Sequence, residues 1–316
     1  MVIASRRGHL LLGGAALVVA LLPLVAGAYV LQLVSTALVM ALFALSLQLL
    51  VGGTGLVSLG QAGFFGLGAY AVYFVQGKGA AASLLLTLPV AALLAGLAAL
   101  AVGALALRTR GFFFLMTTLA FGQMLYFLIH DAPWAGGADG IFVQRPNFGL
   151  FGLDYVPARR DRPAVLLWTN LALLCAAYTG LVVVMRSLFG RMLQGIKEND
   201  HRMQALGHNT YAVKLVAFVL AGALAGVAGH QWAMTEAFVN PELLGWHRSA
   251  EALLMVLLGG LGALHGPLLG AFAFIGLNEL AQLVTERQRL VEGLVILAAV
   301  LLLRDGLAGL RWRSRA

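Results

Sequence analysis

The amino-acid sequence predicts an all-α, polytopic membrane protein of about ten transmembrane helices, and three observations carry that prediction. Apolar runs of about 20 residues, the length a helix needs to cross a bilayer core, recur along the whole 316-residue chain. Only 11% of the residues are charged, against roughly 25% in soluble domains, and the mean hydropathy is +0.91. The basic residues gather in short connections between apolar runs, as the positive-inside rule requires. A β-barrel is excluded, because its apolar segments are short and alternate with period two.

Taken in order, the spans fall at roughly 10–27, 29–51, 55–76, 80–107, 111–129, 164–185, 214–235, 248–262, 267–285 and 290–304. The first follows Ser5-Arg6-Arg7 and ends near Ala26-Gly27-Ala28, a pattern shared with secretory signal peptides. Nine further spans favour a retained helix. The third is rich in glycine, from Gly52 to Gly68. The eighth is short enough to be tilted, broken or only partly spanning. With the N-terminus inside, 13 of the 21 Lys and Arg residues are cytoplasmic, which places both termini in the cytoplasm. The whole chain, 1–316, is then one transmembrane domain with two long loops. An external loop at about 130–163 opens DAPWAGGADG and is too long for a minimal connector, so packing on the outer face is expected. A cytoplasmic loop occupies about 186–213.

The formal net charge of +8 does not indicate nucleic acid, because the charges lie at span ends and not on one basic face. The single cysteine, Cys175, sits in an apolar run; an intrachain disulfide is impossible, and a buried inert thiol is expected. No catalytic or metal-ligand motif is visible: HExxH, CxxC, GxSxG in a strand context and GxxxxGK[ST] are all missing. Gly77-Lys78-Gly79 lacks the other P-loop residues. Energy for transport must therefore come from another subunit or from an ion gradient.

A gradient-driven carrier places ionisable groups at mid-membrane depth. The candidates are Glu251, Glu279 (beside Asn278) and His230, and all lean toward the outer ends of their spans. Hydrogen bonding between helices or lining of a polar path is the expected role. GGTGLVSLGQAGFFGLGAY (52–70) enters the third span from inside, and PELLGWHRSAEALLMVLLGG (241–260) enters the eighth from outside. Lying five spans apart, these segments run in opposite directions, as an inverted-topology repeat requires. Repeated glycines allow a helix to break and its freed backbone to line a cavity. Ser58 and Gln61 in one segment, Ser249 and Glu251 in the other, and Gln123 in the fifth span are the candidate pathway residues. Close helix packing through small residues is the competing reading.

GRMLQGIKENDHRMQALGHN (190–209) is the longest strongly polar stretch. Drawn as a helix from Arg191 to Leu206, it puts Met192, Leu193, Ile196, Met203 and Leu206 on one face. Arg191, Lys197, Glu198, His201 and Arg202 fall opposite. Gly195 weakens the middle, so one helix or two are both open, and Gly207 supplies a stop. Such a segment can lie on lipid, form a plain loop, or dock in a groove of a cytoplasmic partner. Glu198 and Asp200 argue against a purely lipid-facing role.

GRMLQGIKENDHRMQALGHNTYAVKLVAFVLAGALAGVAG resembles the cytoplasmic loop and following helix of LivM-type permeases of the branched-chain amino acid ABC transporter family. GTGLVSLGQAGFFGLGAY, RGFFFLMTTLAFGQ, WAGGADG and SAEALLMVLLGGLGALHGPLLGA agree with it in order and spacing, so that the resemblance covers about residues 29–310. Lys197 and Asp200 depart from the usual Arg and Glu, and Arg202-Met203 from a frequent Ala-Ala pair. The resemblance implies a bacterial inner-membrane importer without enzymatic activity or cofactor of its own. It further implies a second homologous permease, two cytoplasmic ATPase subunits that bind ATP and Mg, and an extracytoplasmic solute-binding protein. Gly190, Arg191, Ile196, Lys197, Glu198, Asp200, Arg202, Met203, Ala205, Leu206 and Gly207 would couple the chain to an ATPase. The substrate would be a branched-chain amino acid or a related small amino acid or amide. An ion-gradient-driven transporter or channel for small polar solutes is the alternative.

Overall fold

The computed structural model describes residues 6–76, 83–143, 157–158, 160–284, 293 and 306–309, with side chains from Leu12 onward except Leu85, Leu283 and Val284. Among these residues the fold is helical apart from one two-residue antiparallel pairing. The helices are α1 (Arg6–Leu21), α2 (Ala28–Thr54), α3 (Gln61–Gln76), α4 (Leu84–Ala106), α5 (Phe112–His130) and α6 (Arg162–Arg186). They continue as α7 (Leu188–Glu198), α8 (Asp200–Ala205), α9 (Thr210–Glu236), α10 (Trp246–Gly259) and α11 (Gly266–Val284). Five helices, α2, α4, α5, α6 and α9, are long and apolar enough to cross a membrane. The predicted span at 290–304 lies outside the described residues, apart from position 293.

The centre of the bundle is assembled through residues that have little or no side chain. A Cβ on Gly222 would stand 2.3 Å from the Ala99 Cβ, and one on Gly226 2.4 Å from the Ala95 Cβ. The four-residue spacing of Ala91, Ala95 and Ala99 on α4 meets that of Gly222 and Gly226 on α9, a small-xxx-small seam. On another side of α9, a Cβ on Gly229 would lie 1.7 Å from the Phe65 carbonyl oxygen, and one on Gly68 2.0 Å from that of Gly226. Lipid tails give no hydrophobic drive for helix association, so this backbone-to-backbone approach supplies the contact. α2 completes the centre and is buried from Ala37 to Thr54.

The third predicted span differs from a single helix over 55–76. α2 ends at Thr54, Gly55 turns left-handed at φ +76°, and residues 55–60 run as non-helical chain before α3 begins. The eighth segment is short, as its sequence predicts: α10 has 14 residues and a length of about 21 Å, less than the roughly 30 Å hydrocarbon core. Its approach is also non-helical, from left-handed Ala237 (φ +55°) through Phe238–Val239 and the 3₁₀ turn Pro241–Leu244.

Part of the loop at about 130–163 packs on the bundle. Ile141–Phe142 pairs antiparallel with Phe238–Val239, which lays the start of the loop against the C-terminal end of α9. The rest of that loop is largely outside the described residues. Cys175 overturns its expectation, for it is exposed. The buried stripe of α6 runs through Leu167, Asn170, Leu174, Tyr178 and Leu181, and Cys175 stands off that stripe.

Candidate functional site

Two regions carry the predicted residues, the paired breaks inside the bundle and the polar segment between α6 and α9 at one end of it. At the first break, three of the freed backbone donors find hydroxyl acceptors on Ser58, Thr118 and Ser249. Ser58 Oγ accepts from Gly60 N–H at 3.3 Å and Thr118 Oγ1 accepts from Leu59 N–H at 3.3 Å. Ser249 Oγ, on α10, accepts from Ala62 N–H at 2.8 Å. An unpaired backbone group away from water costs several kcal/mol, so these three hydroxyls make the break tolerable. Gln61 Nε2 donates to Ser46 Oγ at 3.3 Å. Ser46 stands eight residues before the end of α2, which puts the start of α3 about 12 Å above that end.

The two breaks face each other. Leu244 packs where a Cβ on Gly66 would be, 2.3 Å away, and Ser249 reaches Ala62. Chain direction therefore runs oppositely in the two short helices, and their N-terminal turns overlap. Each break follows a 27-residue helix, α2 or α9, that ends in a left-handed residue. This is the geometry expected of the two sequence segments proposed as a repeat.

The predicted pathway residues separate into three environments. Ser58, Gln61 and Ser249 are fully buried, and Gln61 Oε1 has no partner. Glu251 is held by Arg248 at 2.9 Å, whose guanidinium sits 4.7 Å from the centre of the Trp232 ring. Gln123 is the residue that reaches open space. With Leu119, Met124, Phe127, Asp131 and Trp134 it lines a cavity of about 890 Å³ along α5, and its Nε2 is unpaired. His230 meets Thr87 Oγ1 at 2.7 Å, and Glu279 accepts from Tyr29 Oη.

The polar segment is two helices at an angle. Asn199 breaks the line at φ −158° and its side chain caps α8, accepting from Arg202 N–H at 2.9 Å. Asn209 caps α9 in the same way, accepting from Ala212 N–H at 3.1 Å. Gly207 ends α8 at φ +85°. Gly190 lets α7 fold tightly under α6, since a Cβ there would meet the Met185 backbone at 2.4 Å. Met203 closes the angle by packing on Gly195.

Leu193 and Ile196 are buried, Met192 and Met203 partly so. Leu206 corrects its predicted place, being 68% exposed, because the break at Asn199 ends the helical phase that would have turned it inward. Arg191, Glu198, His201, Arg202, Ala205 and Gly207 are exposed as well.

Lys197 is exposed too, yet it and the half-buried Asp200 are tied to the bundle. Lys197 Nζ donates to the Gly52 carbonyl at 3.1 Å, near the end of α2. Asp200 Oδ2 accepts from Lys214 Nζ at 2.7 Å, near the start of α9. Burial alone would raise the Asp200 pKa, but hydrogen bonds from Lys214 and Thr210 and the charges of Lys214 and Arg110 outweigh it. The carboxyl is held below its ordinary range. Gly52, Lys214, Thr118 and Ser46 escaped the sequence reading. Polar side chains in apolar runs gave a signal for the last two, whereas a carbonyl acceptor gives none.

The family model described as "Branched-chain amino acid transport system / permease component" matches residues 29–302. The high-affinity branched-chain amino acid transport system permease protein LivM of Escherichia coli K12 is 31% identical over 272 residues, 79% of this chain and 63% of that protein. LivH of the same organism is 27% identical over 147 residues, 46% of each chain. The autoinducer 2 import system permease protein LsrC of Photorhabdus luminescens is 26% identical over 162 residues, 47% of this chain and 49% of that one. The chain thus spans just under two thirds of the LivM length. No solved structure matches. From the extent of the family match and the five apolar helices, this chain is a multi-pass membrane protein belonging to the branched-chain amino acid transport permease family.

Proposed function

We propose that this chain is a permease subunit of an ABC importer that carries branched-chain amino acids, or a related small amino acid or amide, into the cytoplasm. It works with a second homologous permease and a solute-binding protein outside. Two ATPase subunits inside bind ATP and Mg. The bacterial inner membrane is its site, with both termini cytoplasmic. The observation that carries the reading is the α7–α8 segment, whose folded angle presents exposed Leu206 with Glu198, His201 and Arg202 around it. An apolar side chain held outward among charges on a short helix suits insertion into a partner's groove.

Three membrane acids held by neighbouring side chains support ATP over an ion gradient as the energy source. Glu251, Glu279 and Glu236 are engaged by Arg248, Tyr29 and the pair Thr36 and Gln32, which suits structural roles for all three. The test is reconstitution with the partner subunits in proteoliposomes. Uptake that requires ATP and survives collapse of the ion gradients is expected, whereas gradient-dependent uptake by the chain alone sinks the proposal. Ligand-dependent thermal shift of the binding protein identifies the solute class.

A further inference from the structure

The two charged residues of the polar segment that point inward each hold a different long helix. Lys197 grips α2 at Gly52, beside Leu193, which comes within 3.8 Å of a Cβ built on Gly53. Immediately beyond lie left-handed Gly55 and the non-helical residues 55–60. The Lys197 side chain also lies 3.4 Å from a Cβ built on Gly55, so it spans the hinge. Asp200 grips α9 at Lys214, and the far end of α9 leads into the second break at Ala237. The Asp200–Lys214 contact is sheltered, with side chains 23% and 17% exposed, whereas Lys197 is an exposed residue whose ammonium alone reaches in to Gly52. Lys197 sends its ammonium to a carbonyl that the last turn of a helix leaves without an intrahelical donor, where a cation is favoured.

We infer that Lys197 and Asp200 are positioning residues that transmit movement of the α7–α8 segment to the two breaks, and are not contacts to the ATPase. The inference rests on the permease reading above. A force on α7 reaches Gly52 through Lys197 and displaces the hinge at Gly55, where one non-helical stretch separates it from the α3 N-terminus. A force on α8 reaches α9 through Asp200 and Lys214. Ser249 joins the two outcomes, because its hydroxyl on α10 holds the first turn of α3. The exposed set, Glu198, Arg202 and Leu206, does the docking.

The experiment uses the complete complex in proteoliposomes and reads three quantities: ATPase subunits retained on purification, ATP hydrolysed, and solute taken up. Lys197→Met, which keeps the stem and removes the donor, and Asp200→Asn are expected to keep their ATPases and to hydrolyse ATP. Uptake per ATP should fall at least tenfold. Glu198→Lys with Arg202→Glu should fail in the opposite way, losing the ATPases themselves. The exchange Asp200→Lys with Lys214→Asp should recover uptake several-fold over Asp200→Lys alone, which a general folding defect would not do. Wild-type uptake per ATP in Lys197→Met overturns the inference, as does loss of ATPases from Lys197→Met or Asp200→Asn in proportion to uptake. Failure of the wild-type chain to retain any ATPase overturns instead the permease reading on which it rests.

Discussion

α2 and α5 are both long and apolar enough to cross a membrane, yet α2 has 72% of its most apolar window buried in the protein and α5 only 22%. In water such a difference would follow from hydrophobicity. In lipid it follows from small residues and neighbours. α2 is enclosed by α6, α9, α10 and α11. α5 touches the bundle along one stripe, Phe114, Thr118, Gly122 and Ile129, and does so against the first break. A Cβ on Gly60 would lie 2.4 Å from the Thr118 carbonyl oxygen, and one on Gly122 3.2 Å from the Gly60 Cα. The remaining face, with Phe113, Met124, Phe127 and Leu128 exposed, borders the cavity that Gln123 lines. The centre is thus a close-packed frame and the α5 side is an open edge.

The sharpest test of that contrast is a methyl group in the frame. Gly229→Ala puts a Cβ within 1.7 Å of a carbonyl oxygen that no rotamer can clear. A loss of about 3 kcal/mol or more is expected, at the upper end of overpacking costs, measured by thermal unfolding in detergent. Gly180→Ala, on α6 with nothing within 4 Å, should instead be neutral or gain up to about 1 kcal/mol from helix propensity. Equal responses at the two sites would erase the distinction between frame and edge.

Polar substitutions sharpen the functional side. Gln123→Leu should reduce uptake several-fold with assembly and stability unchanged, because Gln123 is among the residues that line the cavity along α5. Gln61→Leu should also lower uptake in an assembled complex, at a stability cost near the roughly 1 kcal/mol of one hydrogen bond. If Gln61→Leu transports normally, the first break belongs to the frame alone.

A smaller effect concerns acid. Asp200 has its pKa lowered by folding, so its contribution is fully present above the ordinary carboxylate range and is lost as pH falls through the lowered value. Partly buried ion pairs of this kind contribute at most about 1 kcal/mol. An acid titration of unfolding should show Asp200→Asn missing that limb while matching the wild-type slope at neutral pH. Smallest of all is Cys175→Ser, expected within about 0.5 kcal/mol of wild type. Its thiol should react with a lipid-soluble maleimide and not with a charged one.

How much of this was legible varied with the kind of interaction. Apolar runs gave seven of the helices to within four residues, since length and hydropathy act locally, but overran the end of α1 and the start of α3 by six. The stop at Gly207 was legible because glycine supplies the left-handed backbone it uses, and the glycines of 52–68 suggested a break without giving its place at Gly55. The α4–α9 seam went unread, because spacing does not say which helices small residues join. The polar segment was legible as amphipathic and misread in detail. Asn199 could be recognised as a cap only once the angle between α7 and α8 was known. Lys197 and Asp200 looked like surface charges because their partners, a carbonyl 145 residues away and a lysine 14 residues on, are set by tertiary structure. Cys175 was misread because in a membrane helix an apolar run does not say which side faces protein.

The opposed start of α3 and α10 also has an electrical meaning. Each helix N-terminus carries a partial charge of roughly +0.5, and the contact between Ala62 and Ser249 brings two such ends to one depth, away from water. Their potentials add there instead of cancelling, and screening by salt is weak in a dry interior. A sodium ion or hydronium attempting that depth meets repulsion from both sides, whereas a molecule with no net charge does not. The joint between the two short helices is therefore expected to oppose cation leak at that depth, an effect that a wide gap there would forfeit.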